Sequence, residues 1–393
     1  MAPVVRGFRF SAVSAGIRKG GRPDVALAAA DRPVTVAGVF TRNLVRAAPV
    51  LLATDRVQRG VARAVLVNAG CANACTGQAG LVAARASTGA VAALLGAEPE
   101  TVLPASTGVI GTVLPHERIA DKARELVERL RPDGANDFAE AILTTDRWTK
   151  VSTAEVTAPG GTATVLGIGK GAGMIHPDVG PPHATMLVFL FTDAAVPREE
   201  LERALARACD TTFNACTVDG DTSTNDTVLA FASGDSGVSA TAVELAPAFF
   251  SVCDTIARSM IADGEGASHV AEIWVSGLSG EEAARQVART VATSLLVKTA
   301  LFGRDANWGR LLAAAGRAGV PFDPERAAIR VGDVELVRDG VSLGPEAEQR
   351  AAEVLAQPSY RIELVLGPGT GRARYLTSDL GHGYVDVNAG YRS

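Results

Sequence analysis

The sequence predicts a layered α/β fold, with sheets of short apolar strands covered by helices. Three observations carry this. Strand and helix patterns alternate along the 393 residues. The strands are near-continuous Val, Leu and Ala runs, the pattern of strands buried on both faces. The helices are either amphipathic or Ala-rich. The chain is long enough for one large domain or two ordinary ones with ample core, and it contains no internal repeat and no low-complexity linker.

In chain order, VTVAGVF (34–40) and ARAVLVN (62–68) read as buried strands, and residues 80–97 as an Ala-rich buried helix. Residues 117–131 form an amphipathic helix with Ile119, Ala123, Leu126, Val127 and Leu130 on one face. Residues 149–170 are a hairpin turning at Pro159-Gly160-Gly161. A buried strand begins at Thr185, and helices follow at about 198–210, 243–262 and 281–301. Strand patterns return at 227–233, 270–276, 327–337, 360–367 and 373–379.

Composition narrows the function classes. Hydrophobic residues make up 47% and charged residues 21%, an ordinary globular balance. Aromatics are only 5% while Gly numbers 41, so the interior must be closely packed Ala, Val and Leu. The formal net charge of -5 comes without any basic run, which argues against nucleic acid or an anionic membrane as partner. No signal-peptide pattern opens the chain, and no segment has the ~18 unbroken apolar residues of a membrane span, so a cytoplasmic protein is expected. The five cysteines are odd in number and irregularly spaced, and no histidine pair has metal-ligand spacing. Neither a disulfide framework nor a metal site is therefore expected.

Five segments contain chemistry-bearing residues. Thr185 opens a strongly apolar strand directly after a segment containing Pro177, Pro181 and Pro182. A β-branched residue opening a strand is ordinary, but a buried Thr hydroxyl beside a strained peptide can also attack the preceding carbonyl. Cleavage would free an α-amine with an unperturbed pKa of roughly 7.7–8.0, a base poised near neutrality. Ser106-Thr107-Gly108 lies between apolar runs, as a turn or as an oxyanion hole built from the Thr107 hydroxyl and the Gly108 N–H. GIGKGAGMI (167–175) lacks the ending of a phosphate loop, and Lys170 on a rigid glycine turn suits a substrate carboxylate better. Asp219, Asp221 and Asp226 fail the calcium-loop pattern, with Thr224 and Ala230 where Gly and Glu belong, and read as a polar turn. Glu265, between two glycines after a long helix, could bind a substrate ammonium.

Taken in order, ASTGVIG, TTD, KGAGMI followed by HATML, VDGDTSTND, DGEGA, LVKTALFGRDANWGR and DLGHGYVDVNAGYRS resemble the ornithine acetyltransferase (glutamate N-acetyltransferase) family over nearly the whole chain. NAGCANACTG (68–77) resembles another of its segments. The resemblance implies an αββα-type sandwich and self-cleavage between Ala184 and Thr185. It gives an α fragment (1–184) and a β fragment (185–393) that stay intertwined and assemble as α2β2. It implies Thr185 as nucleophile, with Thr107 and Gly108 as the oxyanion hole. Thr144, Lys170, Glu265, Asn388 and Ser393 match substrate-contacting positions. The implied reaction moves an acetyl group from N-acetylornithine to glutamate by a ping-pong scheme with no cofactor. Acetyl-CoA as an alternative donor stays open.

The sequence departs from the family pattern in places. Eight residues, His176 through His183, stand where the family has a shorter string, just before the scissile bond. They either bulge outward or relax the strain that drives cleavage. Arg147 and Trp148 replace smaller residues in TTDRWTK and would alter acceptor choice if they faced the pocket. His269 stands where the family often has Lys, and Ser393 where Thr is common. Two other function classes compete: a Thr-nucleophile amidase or aminopeptidase, and an unprocessed, non-catalytic family member.

Overall fold

The computed structural model describes residues 4–177, 179–180 and 186–390. It divides into two compact units. One holds the chain up to Asn214 together with Asp221–Met260; the other holds Ala215–Gly220 and the chain from Ile261 on. Each is a mixed α/β unit built on its own sheet, as the alternating patterns predict.

The first unit contains strands β1 (Phe8–Val13), β2 (Val25–Thr41), β3 (Val61–Cys71), β4 (Val102–Val109), β5 (Lys150–Ala158), β6 (Gly161–Lys170), β7 (Val179–Gly180) and β8 (Leu187–Thr192). Its helices are α1 (Ala48–Val57), α2 (Gly77–Leu95), α3 (His116–Glu128), α4 (Ala135–Ala141) and α5 (Arg198–Thr211). After β9 (Cys216–Thr217) in the second unit, the first resumes with β10 (Thr227–Ala232) and α6 (Ala242–Ala262), which crosses into the second at its end. The sheet order is β4-β3-β2-β10-β8-β6-β5, with β1 and β7 also on β2. β10 runs parallel to β8, and β6 antiparallel to it, so all six residues of β8 are laddered on both sides, and all six are buried.

Period-two alternation splits the strands between two cores. Ala26, Ala28, Val65, Val67 and Leu103 face one core with α1 and α4, while Val25, Leu27, Ala64, Leu66 and Val102 face the other with α2 and α3. The scarce aromatics concentrate in the first core: Phe10 meets Phe191 edge-on at 5.0 Å, Phe138 meets Phe189 at 5.5 Å, and Phe191 stacks on Phe231 at 5.3 Å. Both α2 and α6 are apolar and long enough to cross a membrane. Here α2 packs Ala83, Val91 and Ala92 into the core, and α6 lies on β6.

The glycines of GIGKGAGMI explain that second contact and correct an expectation. Gly167 and Gly169 are in strand β6 rather than in a turn. A Cβ on Gly167 would lie 2.3 Å from Val252 Cγ1, and one on Gly169 2.7 Å from Ile256 Cγ2. The glycines let α6 lie directly on the strand.

The second unit contains β11 (Val270–Leu278), β12 (Ala328–Val331), β13 (Val334–Arg338), β14 (Val341–Ser342), β15 (Ser359–Val365) and β16 (Gly371–Ser378). Its helices are α7 (Glu281–Ala292), α8 (Leu295–Phe302), α9 (Trp308–Gly316), α10 (Pro345–Leu355) and α11 (His382–Gly390). The sheet order is β14-β13-β12-β15-β11-β16-β9. Two sequence expectations resolve more finely here. The single helix over 281–301 breaks at Thr293-Ser294 into α7 and α8, and the strand over 327–337 folds at Gly332 (φ +56°) into a hairpin.

Candidate active site

The first unit gathers its candidate residues where the end of β4 meets the end of β6 and the lead into β10. The expected turn at Ser106-Thr107-Gly108 is instead the end of β4, held by parallel pairing with β3 that sets Thr107 opposite Ala69 and Gly108 opposite Gly70. Gly108 has φ +129°, and a Cβ there would lie 2.4 Å from the Gly70 carbonyl carbon. Only glycine closes this pairing. Ser106 Oγ donates to Asn68 Oδ1 at 2.6 Å, and Asn225 Nδ2 donates to the Ser106 carbonyl at 2.9 Å and the Ala72 carbonyl at 2.6 Å. Asn225 thereby ties the lead into β10 to the strand carrying Thr107.

Lys170, the last residue of β6, points its ammonium into this end. Its Nζ donates to Thr144 Oγ1 at 2.8 Å and reaches Thr107 Oγ1 at 3.4 Å. The Thr107 oxygen that accepts from Lys170 keeps its own O–H as a donor, which is what an oxyanion hole requires. Sequence reasoning missed the group that organises this cluster. Asp146 is buried, with Oδ2 3.5 Å from Lys170 Nζ and Oδ1 2.8 Å from Lys150 Nζ. It also accepts the Gly171 N–H at 2.7 Å and the Thr144 N–H at 3.1 Å. Burial works to raise the Asp146 pKa. The charges of Lys170 and Lys150 and the donated hydrogen bonds outweigh it and hold the carboxyl well below the usual carboxylate range.

Strand register brings this cluster to the start of β8. Lys170 and Thr227 both pair with Leu187, and the Thr227 N–H donates to the Met186 carbonyl at 2.8 Å. Thr185 and Ala184, which precede Met186 in the chain, lie outside the described residues, as do His183 and Ser393.

The second unit brings Glu265 and Asn388 together. Asn388 Nδ2, on α11, donates to Glu265 Oε2 at 2.9 Å. Gly266 makes the approach possible: its φ is +69°, and a Cβ there would collide with the Tyr384 nitrogen at 2.1 Å.

Comparison with known proteins agrees with these motifs. The profile of the ArgJ family matches residues 9–393. The arginine biosynthesis bifunctional protein ArgJ of Geobacter sulfurreducens is 47% identical over 99% of this chain and 100% of its own length. Its namesake in Desulfotalea psychrophila is also 47% identical, over 99% and 100%. The chain belongs to the ArgJ family.

Among solved structures, an arginine biosynthesis bifunctional protein argJ chain from Bacillus halodurans is 35% identical with a TM-score of 0.50; it is covered over 98% of its own length by 52% of this chain. As an ArgJ member the chain is an acyltransferase. Of its expected departures from the family pattern, Arg147, Trp148 and His269 are seen in place, while Asp178 and Pro181–His183 of the longer string before Ala184 lie outside the described residues. Trp148 is exposed and leans on α6, where its indole N–H donates to Ser259 Oγ at 3.0 Å, and the Arg147 guanidinium stacks on that ring at 4.8 Å. His269 Nδ1 pairs with Asp379 Oδ2 at 2.9 Å, where Ser268 Oγ also donates at 2.6 Å.

Proposed function

We propose that this protein cuts itself between Ala184 and Thr185 and then uses Thr185 to carry an acetyl group from N-acetylornithine to glutamate. Thr185 Oγ attacks the acetyl carbonyl, ornithine leaves as the free amine, and glutamate takes the acetyl group from the resulting ester. Thr107 and the Gly108 N–H would receive the oxyanion at each addition step. Lys170 would release Thr144 to bind the amino-acid carboxylate, and Glu265 with Asn388 would bind the distal ammonium. Ser393 would add a neutral hydrogen bond. The scheme needs no cofactor; acetyl-CoA as a second acetyl donor is tested in the same assay.

One observation carries this reading. Lys170 Nζ joins Thr107 and Thr144 at the end of β6, and the register sets that end two residues past Thr185. The half-length of the Bacillus halodurans chain relative to this one supports a two-piece mature form. The α and β fragments are expected to stay together because β6 and β8, on either side of the cut, are neighbours in one ladder. An α2β2 assembly and a cytoplasmic location belong to the same proposal.

Intact-mass analysis tests it. The purified 40.4 kDa chain should appear as two fragments of about half that mass. N-acetylornithine should add about 42 Da, one acetyl ester, to the fragment beginning at Thr185. Thr185→Ala should show neither cleavage nor adduct. A single uncut chain that turns over substrate refutes the proposal, and acetate release without acceptor amine marks a hydrolase instead.

A further inference from the structure

The loop joining β1 to β2, residues 14–24, is wound around one buried acid. Asp24 has no solvent exposure, and its carboxylate accepts the N–H of Ala15 at 2.7 Å, of Ile17 at 2.6 Å and of Arg18 at 3.0 Å. Its backbone is held as well. The Asp24 N–H donates to the Val13 carbonyl at 3.0 Å, and its carbonyl accepts the Ala69 N–H at 2.9 Å. Three amides converging on one buried carboxylate leave the loop little freedom, and this delivers Arg18 to a defined place. The Arg18 backbone lies against β3: a Cβ on Gly70, where φ is +100°, would stand 2.8 Å from Arg18 Cβ and 3.1 Å from its nitrogen. Gly70 is the residue that pairs with Gly108.

The Arg18 side chain reaches away from that strand pair. Its Nη1 donates to the Leu143 carbonyl at 2.6 Å and its Nη2 to the Pro23 carbonyl at 2.6 Å. The Leu143 carbonyl belongs to the same peptide group as the Thr144 N–H, which donates to Asp146 Oδ2 at 3.1 Å. One peptide group is therefore gripped by a cation at its oxygen and by an anion at its nitrogen. Both hydrogen bonds are charge-assisted, and each polarises the peptide in the sense that strengthens the other. Thr144, carried by that peptide, accepts Lys170 Nζ at its Oγ1 at 2.8 Å.

We infer that Arg18 is a positioning residue for the substrate carboxylate, a strut from the Gly70–Gly108 pairing to the peptide of Thr144. This rests on the reading of Thr144 and Lys170 as the carboxylate subsite. A binding group is useful only if its own backbone is fixed to within a fraction of an ångström, and the strut supplies that fixity from outside the subsite. Without the guanidinium, the Leu143 carbonyl loses its donor and the peptide is free to tilt about the Asp146 end. N-acetylornithine and glutamate share the α-carboxylate and differ at the far end, so the loss should fall on both.

Calorimetric titration of the full chain with ornithine and with ornithine α-amide, which lacks the carboxylate, is the test. Arg18→Met should weaken ornithine about tenfold or more and the amide less than about twofold, a difference that a general loosening of the fold does not produce. Arg18→Lys keeps one donor but cannot bridge both carbonyls. It should weaken ornithine about threefold with the amide again spared, and it serves in place of Arg18→Met should that variant not fold. In a Thr144→Ala background, Arg18→Met should cost less than about twofold more, because its effect runs through Thr144. Ornithine losses below twofold in the folded variants, or equal losses for both ligands, overturn the inference. So do additive losses in the double variant, the mark of a guanidinium that meets the carboxylate itself. Thr144→Ala alone separates the two ideas. If it binds ornithine as the wild type does, or if the wild type binds both ligands equally, the subsite reading fails; if it loses ornithine while Arg18→Met keeps it, only the strut fails.

Discussion

Replacing Asp146 by Asn tests whether the cluster at the end of β6 is held by one buried charge. The carboxylate lies between Lys150 and Lys170, with the Asp146 and Lys150 side chains fully buried and Lys170 8% exposed. The substitution keeps an oxygen for the Gly171 N–H but removes the negative charge that faces both the Lys150 and the Lys170 ammonium. Removing one partner of a buried ion pair typically costs about 3–5 kcal/mol, because the remaining charge is stranded rather than because the pair itself is worth that much. With roughly 2–4 °C per kcal/mol for a unit of ~150–250 residues, Tm should fall by about 6–20 °C. The pH dependence has a definite sign. Asp146 is depressed in the folded state, so its contribution is present in full above the unfolded value near ~3.9 and is lost as pH falls towards the lower folded value. The wild-type advantage over Asp146→Asn, measured by urea unfolding, should therefore be flat from about pH 5 to 8 and shrink below about pH 4. A variant within about 1 kcal/mol of wild type at pH 7, or a difference that grows on acidification, would refute the idea that Asp146 holds the lysines.

Gly108→Ala should lower kcat at least about 10²-fold through displacement of the oxyanion donors, since its Cβ cannot coexist with Gly70; steady-state kinetics on the cleaved protein would show it, and near-normal turnover would exclude Gly108 from that role. Lys298 is buried against Thr377 and Ser378, and burial lowers its pKa to about 8. Between about pH 8 and 10.5 the unfolded state binds the extra proton, so stability should rise with pH through that window by up to about 3 kcal/mol, a rise absent in Lys298→Met. Trp148→Ala should cost about 1 kcal/mol of stability and leave the glutamate-to-ornithine preference within about twofold, because the ring rests on α6. A changed preference in competition assays would put Trp148 in the pocket. Glu265→Gln should raise KM for ornithine-type substrates about tenfold or more with a smaller change in kcat, reflecting one lost charge-assisted hydrogen bond.

The parts of the site legible in the sequence are those whose chemistry is local. Thr107-Gly108 and Lys170 stand out by residue type beside glycine, although the glycines serve strand pairing and the approach of α6 rather than the turns they suggested. Asp146 was hidden for a different reason. Its partner Lys150 is four residues on, a spacing that looks like an ordinary surface pair, and Lys170 is far along the chain. A signal was nevertheless available. The hairpin turning after Ala158 pairs Lys150 with Gly169, the neighbour of Lys170. Two lysines brought side by side on neighbouring strands call for an anion, and Asp146 supplies one. The burial of Asp226 had no such signal, because an acid in a run of Asp, Ser, Thr and Asn reads as solvated until the sheet closes over it.

Sheet order alone does not bring these residues together: β3, with β4 on it, pairs with the Val25 end of β2 and β10 with the Phe40 end, so Thr107 reaches Lys170 only because the sheet folds back along β2, whose register with β3 breaks after Ala29. Lys170 ends β6, Thr227 begins β10, and Ser106-Thr107 stand near the end of β4. Polar side chains are tolerated there because the ladder stops and backbone groups are available to pair with them, as Gly171, Thr144 and Ser106 do. The same geometry makes a chain break before β8 tolerable. β8 is anchored along its whole length by β6 and β10, so cutting ahead of it removes no ladder hydrogen bond from those pairings. The strand that follows the proposed cut has no freedom to leave. On this argument the fragments should separate only when the sheet unfolds, and a native gel should show one species until the urea concentration at which the circular dichroism of the whole unit is lost.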